Sequence, residues 1–194
     1  MTGYQKLKNH VLDVLDKQLP DCLTYHGKEH TLDVLHVCNQ YITRLKLKEE
    51  EAYLLRIGAL VHDMGFIQSL EQHEKVGADL AGKIMADLNM APAHIQLVKE
   101  LVLATQIPQS PKTQLQRILC DADLDYLGRS DYPMISQMLF EELKGMNGVQ
   151  SKEEWQILQI NFLKNHRFHT PYAQKYREPK KQQWLKLIEA RELI

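Results

Sequence analysis

Leu54-Leu55-Arg56-Ile57-Gly58-Ala59-Leu60-Val61-His62-Asp63 is an apolar run broken by one arginine and closed by a histidine-aspartate pair. A segment apolar on nearly every side must be surrounded, so it reads as a central helix of an all-α protein. An aspartate at the buried end of such a helix needs an explanation. An unpartnered carboxylate costs several kcal/mol to bury, so a buried Asp is usually paired or coordinates a metal. Working outward, the chain offers further ligand types on both sides. Upstream stands Tyr25-His26-Gly27-Lys28-Glu29-His30, and downstream Cys120-Asp121-Ala122-Asp123-Leu124-Asp125-Tyr126.

Helical periodicity dominates around this run. Val34, Leu35, Cys38, Tyr41, Ile42 and Leu45 recur at helical spacing and make one apolar face, with His36 off it and expected in solvent. Gly58-Ala59 would let a neighbouring helix come close, and Gly65 is placed to end the central helix in a left-handed conformation. Further helices are expected over about 72–88, 92–105, 113–126, 131–146, 151–166 and 171–192. Pro92 suits a first turn, Pro108 and Pro111 mark a break, and Asp131 with Pro133 signals a start. Ser151 and Glu154 have capping-box spacing, and Gly145, Asn147 and Gly148 punctuate the gap before them. No linker, repeat or composition shift divides the chain. One compact helical bundle over 1–194 is therefore expected, with a motif-bearing core at about 22–130 and C-terminal helices at about 131–194 packing on it.

Bulk properties narrow the function. Lys+Arg 24 against Asp+Glu 25 leaves a net charge of -1, which argues against a protein that coats nucleic acid. The basic stretch Lys175-Tyr176-Arg177-Glu178-Pro179-Lys180-Lys181 reads as a solvated helix start rather than a phosphate patch. Cys22, Cys38 and Cys120 are odd in number and lack paired spacing, which fits a reducing compartment. The N-terminus lacks a signal-peptide apolar region, and no apolar stretch reaches the ~18–20 residues that span a bilayer. The expectation is a cytoplasmic protein without a membrane partner.

A metal centre needs donors that converge. His26 and His30, four residues apart, share a face if their segment is helical. His62 and Asp63 diverge by about 100° around their helix, yet both can meet an ion lying between them. Asp123 can reach in from a third helix. Two imidazoles and two carboxylates suit Mn, Fe, Co, Ni, Zn or Mg. Taken singly, each residue has an ordinary explanation: a partly buried histidine, a helix-capping carboxylate, a solvated acidic face. A calcium loop starting at Asp121 fails, because Tyr126 stands where glycine is needed and Tyr132 where glutamate is needed. The ordered combination is what carries weight. Elsewhere, His166 and His169 lack a nearby carboxylate and read as a helix C-terminus. Ser69, Ser110 and Ser136 lack nucleophile-elbow glycines, and there is no phosphate-binding glycine loop.

The order His, His-Asp, Asp resembles the HD superfamily of metal-dependent phosphohydrolases. The likeness runs from about Tyr25 to Arg129 and is specific at Tyr25-His26, His30, Gly58 to Gly65 and Asp121 to Leu124. It implies metal ligands His30, His62, Asp63 and Asp123, the last preferred to Asp121 because the family's final ligand follows a small residue, here Ala122. It also implies that His26 protonates a leaving oxygen and that Asp63 orients the attacking water. Departures inform as well. Phe66 stands where cyclic-di-GMP phosphodiesterases of this superfamily place lysine, and their Gly-Tyr-Pro signature is absent. His73-Glu74-Lys75-Val76-Gly77-Ala78 resembles a stretch that reaches a second metal in some members, but the later paired histidines are missing. One divalent ion per chain is thus expected, with His73 open to phosphate, water or a second ion, and Lys75 and Arg129 as cations for phosphate charge. The implied activity is hydrolysis of a small phosphate ester, favouring a nucleotide or cyclic nucleotide. A catalytically silent metal- or nucleotide-binding regulatory module is the alternative.

Overall fold

The computed structural model describes residues 2–191, and among them there are ten α-helices and no strand. The chain forms two compact units. The first comprises Met1–Pro20 and His26–Asp123, the second Asp21–Tyr25 and Leu124–Ile194. Among the described residues, no helix is long and apolar enough to cross a membrane.

The first unit holds α1 (Thr2–Gln18), α2 (Lys28–Leu45), α3 (Glu49–Val61), α4 (His73–Asp87), α5 (Pro92–Ala104) and α6 (Gln114–Asp123). The start of α3 is set by three glutamates in its first turn, which suit the positive end of a helix, and Glu51 accepts a 3.1 Å hydrogen bond from the Lys48 N–H. Beyond that turn Leu55, Ile57, Ala59, Leu60 and Val61 are wholly buried, as the apolar run requires. Helices α1, α2, α5 and α6 all pack on α3. Gly58 is the close-approach point, since a methyl group there would lie 3.0 Å from Leu101 Cδ1 of α5.

Two expectations in this unit need correction. Gly65 is not left-handed, and no described glycine has positive φ. It lies in a 3₁₀ turn, Met64–Ile67, where a Cβ would sit 1.7 Å from the His73 carbonyl oxygen. Glycine is needed there for backbone approach, not for φ. Secondly, the helix expected to run to 126 stops at Asp123. Leu124 leaves helical geometry (φ -104°, ψ 18°) and the chain tightens into a 3₁₀ turn, Asp125–Gly128.

The second unit holds α7 (Tyr132–Gly145), α8 (Lys152–Asn165), α9 (Pro171–Tyr176) and α10 (Glu178–Glu189). Ser151 caps α8 by accepting the Glu154 N–H at 3.1 Å. Asp131 precedes α7 as expected but does not cap it. Its carboxylate instead takes two bonds from Arg129, at 3.0 and 2.9 Å. The helix expected over 171–192 is broken at Arg177 (φ -105°), just ahead of Pro179, which has no N–H to continue the ladder. It ends at Glu189, and residue 192 lies outside the described residues. The reading of 175–181 as solvated also fails at Lys181, which is fully buried. Its ammonium donates to the His166 carbonyl at 2.7 Å, at the C-terminus of α8, and lies 3.0 Å from Glu178. Those partners are what make a buried lysine tolerable, although burial still lowers its pKa against the opposing pull of Glu178.

Candidate metal centre

Three helices of the first unit deliver the donors. His30 lies in the first turn of α2, His62 directly follows α3, and Asp123 ends α6. His62 keeps helical angles, whereas Asp63 moves to φ -101°, ψ 3°, so the doublet straddles the helix end. His62 Nδ1 lies 2.9 Å from the Ala59 carbonyl, which can only accept. Nδ1 therefore carries a hydrogen, and Nε2 is the atom turned into the cluster.

The donor atoms crowd together. His30 Nε2 lies 3.3 Å from His62 Nε2, 3.1 Å from Asp123 Oδ1 and 3.4 Å from Asp63 Oδ2. His62 Nε2 lies 3.1 Å from Asp63 Oδ2 and 3.5 Å from Asp123 Oδ1. Bonds of about 2.1 Å to a single ion hold neighbouring donors about 3.0–3.4 Å apart, so these spacings match the edges of a coordination polyhedron. Asp63 Oδ2 is buried and accepts no hydrogen bond despite its two imidazole neighbours, an orphaned acceptor that a cation would satisfy. Among the described residues, His30, His62 and Asp123 form a group able to hold a metal. The donor set fits a divalent ion.

Electrostatics follow from this crowding. Burial alone would depress the His62 pKa, but Asp63 and then Asp123 outweigh it and raise it well above the ordinary histidine value. Burial pushes against the Asp63 carboxylate too, yet His62, with His26 and His30, holds its pKa far below the usual range. For Asp123 the same contest between burial and hydrogen bonds from both imidazoles ends at about 2.

The other expected site residues fall in different places. His26 does not share a helical face with His30, because it lies in the turn before α2. Its ring still meets His30 edge-on, with centroids 5.7 Å apart. His73, the first residue of α4, stacks on Phe66 and is outside the donor group, and burial lowers its pKa. Lys75 is solvent-exposed, and its charge acts on Asp79. Arg129 belongs to the second unit, where it binds Asp131 and approaches Asp125 at 3.8 Å. Asp121 is fully buried but is not part of the group. Sequence reasoning missed the Ala59 carbonyl, which helical spacing three residues before His62 could have revealed, and Phe66, which no local signal marks.

A family model described as HD domain matches residues 27–125, just over half of the 194 residues. The chain belongs to the HD family. No curated protein and no solved structure matches it. The matched span covers His30, His62 and Asp123, with Asp63 beside them, and lies almost wholly in the first unit. HD domains are all-α, typically bind divalent metals and make up a superfamily of mostly metal-dependent phosphohydrolases, so the family agrees with the donor chemistry.

Proposed function

We propose that the chain is a metal-dependent hydrolase of a small phosphate ester, favouring a nucleotide or cyclic nucleotide, with one divalent ion held by His30, His62, Asp63 and Asp123. The observation that carries this reading is the packing of imidazole and carboxylate donors at 3.1–3.5 Å, with Asp63 Oδ2 left unsatisfied. A divalent ion bound there polarises a phosphoryl oxygen and lowers the pKa of bound water from about 15.7 towards ~7.

The remaining work falls to side chains. Asp63 is fully ionised at neutral pH and accepts a hydrogen bond from the attacking water, orienting it. His26 is partly exposed beside His30, where it can donate a proton to the departing oxygen, a role typically worth ~10²–10⁴-fold. His73 is a neutral donor or acceptor near the same place, since it feels the charges of Asp63 and His26. Lys75 supplies only a longer-range positive charge. All three cysteines are free thiols, which supports a reducing, cytoplasmic setting.

Two measurements test the proposal. Elemental analysis of the purified protein should find one equivalent of a divalent metal, and a panel of phosphomonoesters, cyclic nucleotides and deoxynucleoside triphosphates with Mn²⁺ should reveal turnover. Stoichiometric metal without turnover on any member would favour the silent binding module, and absence of metal uptake would sink both readings.

A further inference from the structure

We infer that Phe66 is a positioning residue: its ring braces the His26 imidazole beside the donor cluster, and His73 in turn braces Phe66. The inference rests on the leaving-group role proposed for His26. Because His26 precedes α2, its ring is placed by what it touches rather than by a helical frame. It meets His30 at 5.7 Å, and it meets Phe66 more closely, at 4.8 Å with the planes 36° apart. Phe66 is itself only 5% exposed and is fixed in the 3₁₀ turn that follows the His62-Asp63 pair. His73 also lies against it, nearly parallel at 3.8 Å with 13° between the planes.

This stack is anchored in backbone. A Cβ on Gly65 would lie 1.7 Å from the His73 carbonyl oxygen and 2.7 Å from the Gly77 nitrogen. One on Gly77 would lie 3.1 Å from the Gly65 nitrogen. The first turns of α4 thus press directly on the segment that carries the doublet, and His73 cannot drift from Phe66 without breaking that seam. His73 Nε2 also lies 3.3 Å from Glu74 Oε1, which resists rotation of the ring. A phenylalanine that merely filled core volume would need only apolar neighbours. Here two imidazoles lie against the ring, and the contacts run from seam to His73 to Phe66 to His26. Such ring contacts favour one rotamer over its alternatives. A misplacement of ~1 Å in a catalytic group can cost ~10²-fold.

The test compares p-nitrophenyl phosphate, whose leaving group needs little protonation, with phenyl phosphate, whose leaving group needs more, using Mn²⁺-loaded protein. Phe66→Leu should lose about 10–100-fold on the phenyl ester but under ~3-fold on the nitrophenyl ester, with metal content unchanged. His26→Ala should show the same discrimination, the double variant should lose little more than either single one, and Phe66→Tyr should restore the rate. Equal loss on both esters, or additive losses, would overturn the positioning role. If His26→Ala itself fails to discriminate, the leaving-group reading falls instead. A second readout needs no substrate. In the metal-free protein, Phe66→Leu should lower the NMR order parameter of the His26 ring from a rigid value to below about 0.6 and leave that of His30 high; an unchanged His26 would overturn the inference. Should Phe66→Leu prove too unstable to isolate, His73→Ala must reproduce the leaving-group pattern more weakly. A shift in KM alike on both esters would assign His73 to phosphate binding and overturn its bracing role.

Discussion

Asp123 and Asp125 stand two residues apart, and both carboxylates are largely buried, but opposite kinds of base neutralise them. Asp123 lies 3.1 Å from His30 and 3.5 Å from His62. Asp125, its side chain 1% exposed, takes a 2.7 Å bond from Arg177 Nε and has Arg129 at 3.8 Å. The difference lies in what each base can give up. An imidazole releases its proton near neutral pH, so a cluster built on histidines can exchange protons for a metal ion. A guanidinium stays charged at every accessible pH, so the Asp125 cluster is a closed ion pair. Of two buried acidic sites in adjoining stretches of chain, one is exchangeable and the other is permanent.

The largest effect should come from breaking the exchangeable side. His62→Ala or Asp63→Ala removes both a donor and a partner of a buried charge, so metal and hydrolysis should be lost altogether. Elemental analysis beside an activity assay measures this, and stoichiometric metal in both variants would discard the assignment. Asp123→Asn should likewise lose tight binding, while Asp121→Asn keeps its metal and loses activity by no more than the ~10–100-fold typical of groups behind the ligands.

Breaking the permanent side should act on stability instead. Arg177→Ala removes the 2.7 Å partner of the buried Asp125 carboxylate and leaves Arg129 at 3.8 Å, and removing one partner of a buried pair typically costs about 3–5 kcal/mol. Denaturant unfolding should show that loss, and the folded fraction should retain its full equivalent of metal. A variant as stable as the wild type would mean that the pair contributes nothing.

A third difference is in pH. Without metal, the His62 pKa is raised well above 6.5 by Asp63 and Asp123 against the pull of burial. A raised folded-state value gives stability that is complete below the unfolded value of about 6.5 and disappears as pH climbs through the raised one. Asp63 and Asp123 are shifted the opposite way, so their contribution persists above the unfolded carboxylate range and fades as pH falls towards about 2. The metal-free protein should therefore weaken from neutral to mildly alkaline pH, while an ion that replaces the proton removes that dependence. Thermal unfolding with and without Mn²⁺ should show a metal-induced rise in Tm that grows with pH, and calorimetry in buffers of different ionisation enthalpy should show proton release on binding. A metal effect that did not change with pH would contradict the exchange.

These contrasts also show what the sequence could and could not reveal. The central helix, its His62-Asp63 end and the helices bearing His30 and Asp123 follow from local periodicity and composition, which act over one or two turns. The stop at Asp123 does not, because Asp121, Asp123 and Asp125 look alike until their partners are known. Arg177 comes 52 residues after Asp125, and no periodicity links them. The burial of Lys181 is hidden from the sequence for the same reason: its partner is a carbonyl at the end of another helix. Gly65 was legible as special, but the cause is the backbone of His73, which only the packing of α4 supplies.

The smallest expected effect concerns Lys75, the one proposed phosphate cation that stands in solvent within the first unit. Its charge is felt at Asp79, itself exposed and bonded to Lys99 at 2.8 Å, so it belongs to a surface network rather than to the closed Asp125 kind or the exchangeable His62 kind. An exposed charge acts on an incoming phosphate only through water, and at 0.1 M salt its influence falls off over about 10 Å. Lys75→Ala should accordingly leave metal content and kcat unchanged. It should raise KM by no more than ~2-fold at physiological ionic strength, growing as salt is lowered towards 0.01 M, where screening extends to about 30 Å. A KM increase of ten-fold or more that persists at high salt would show direct contact with the phosphate, because a screened surface charge cannot produce it.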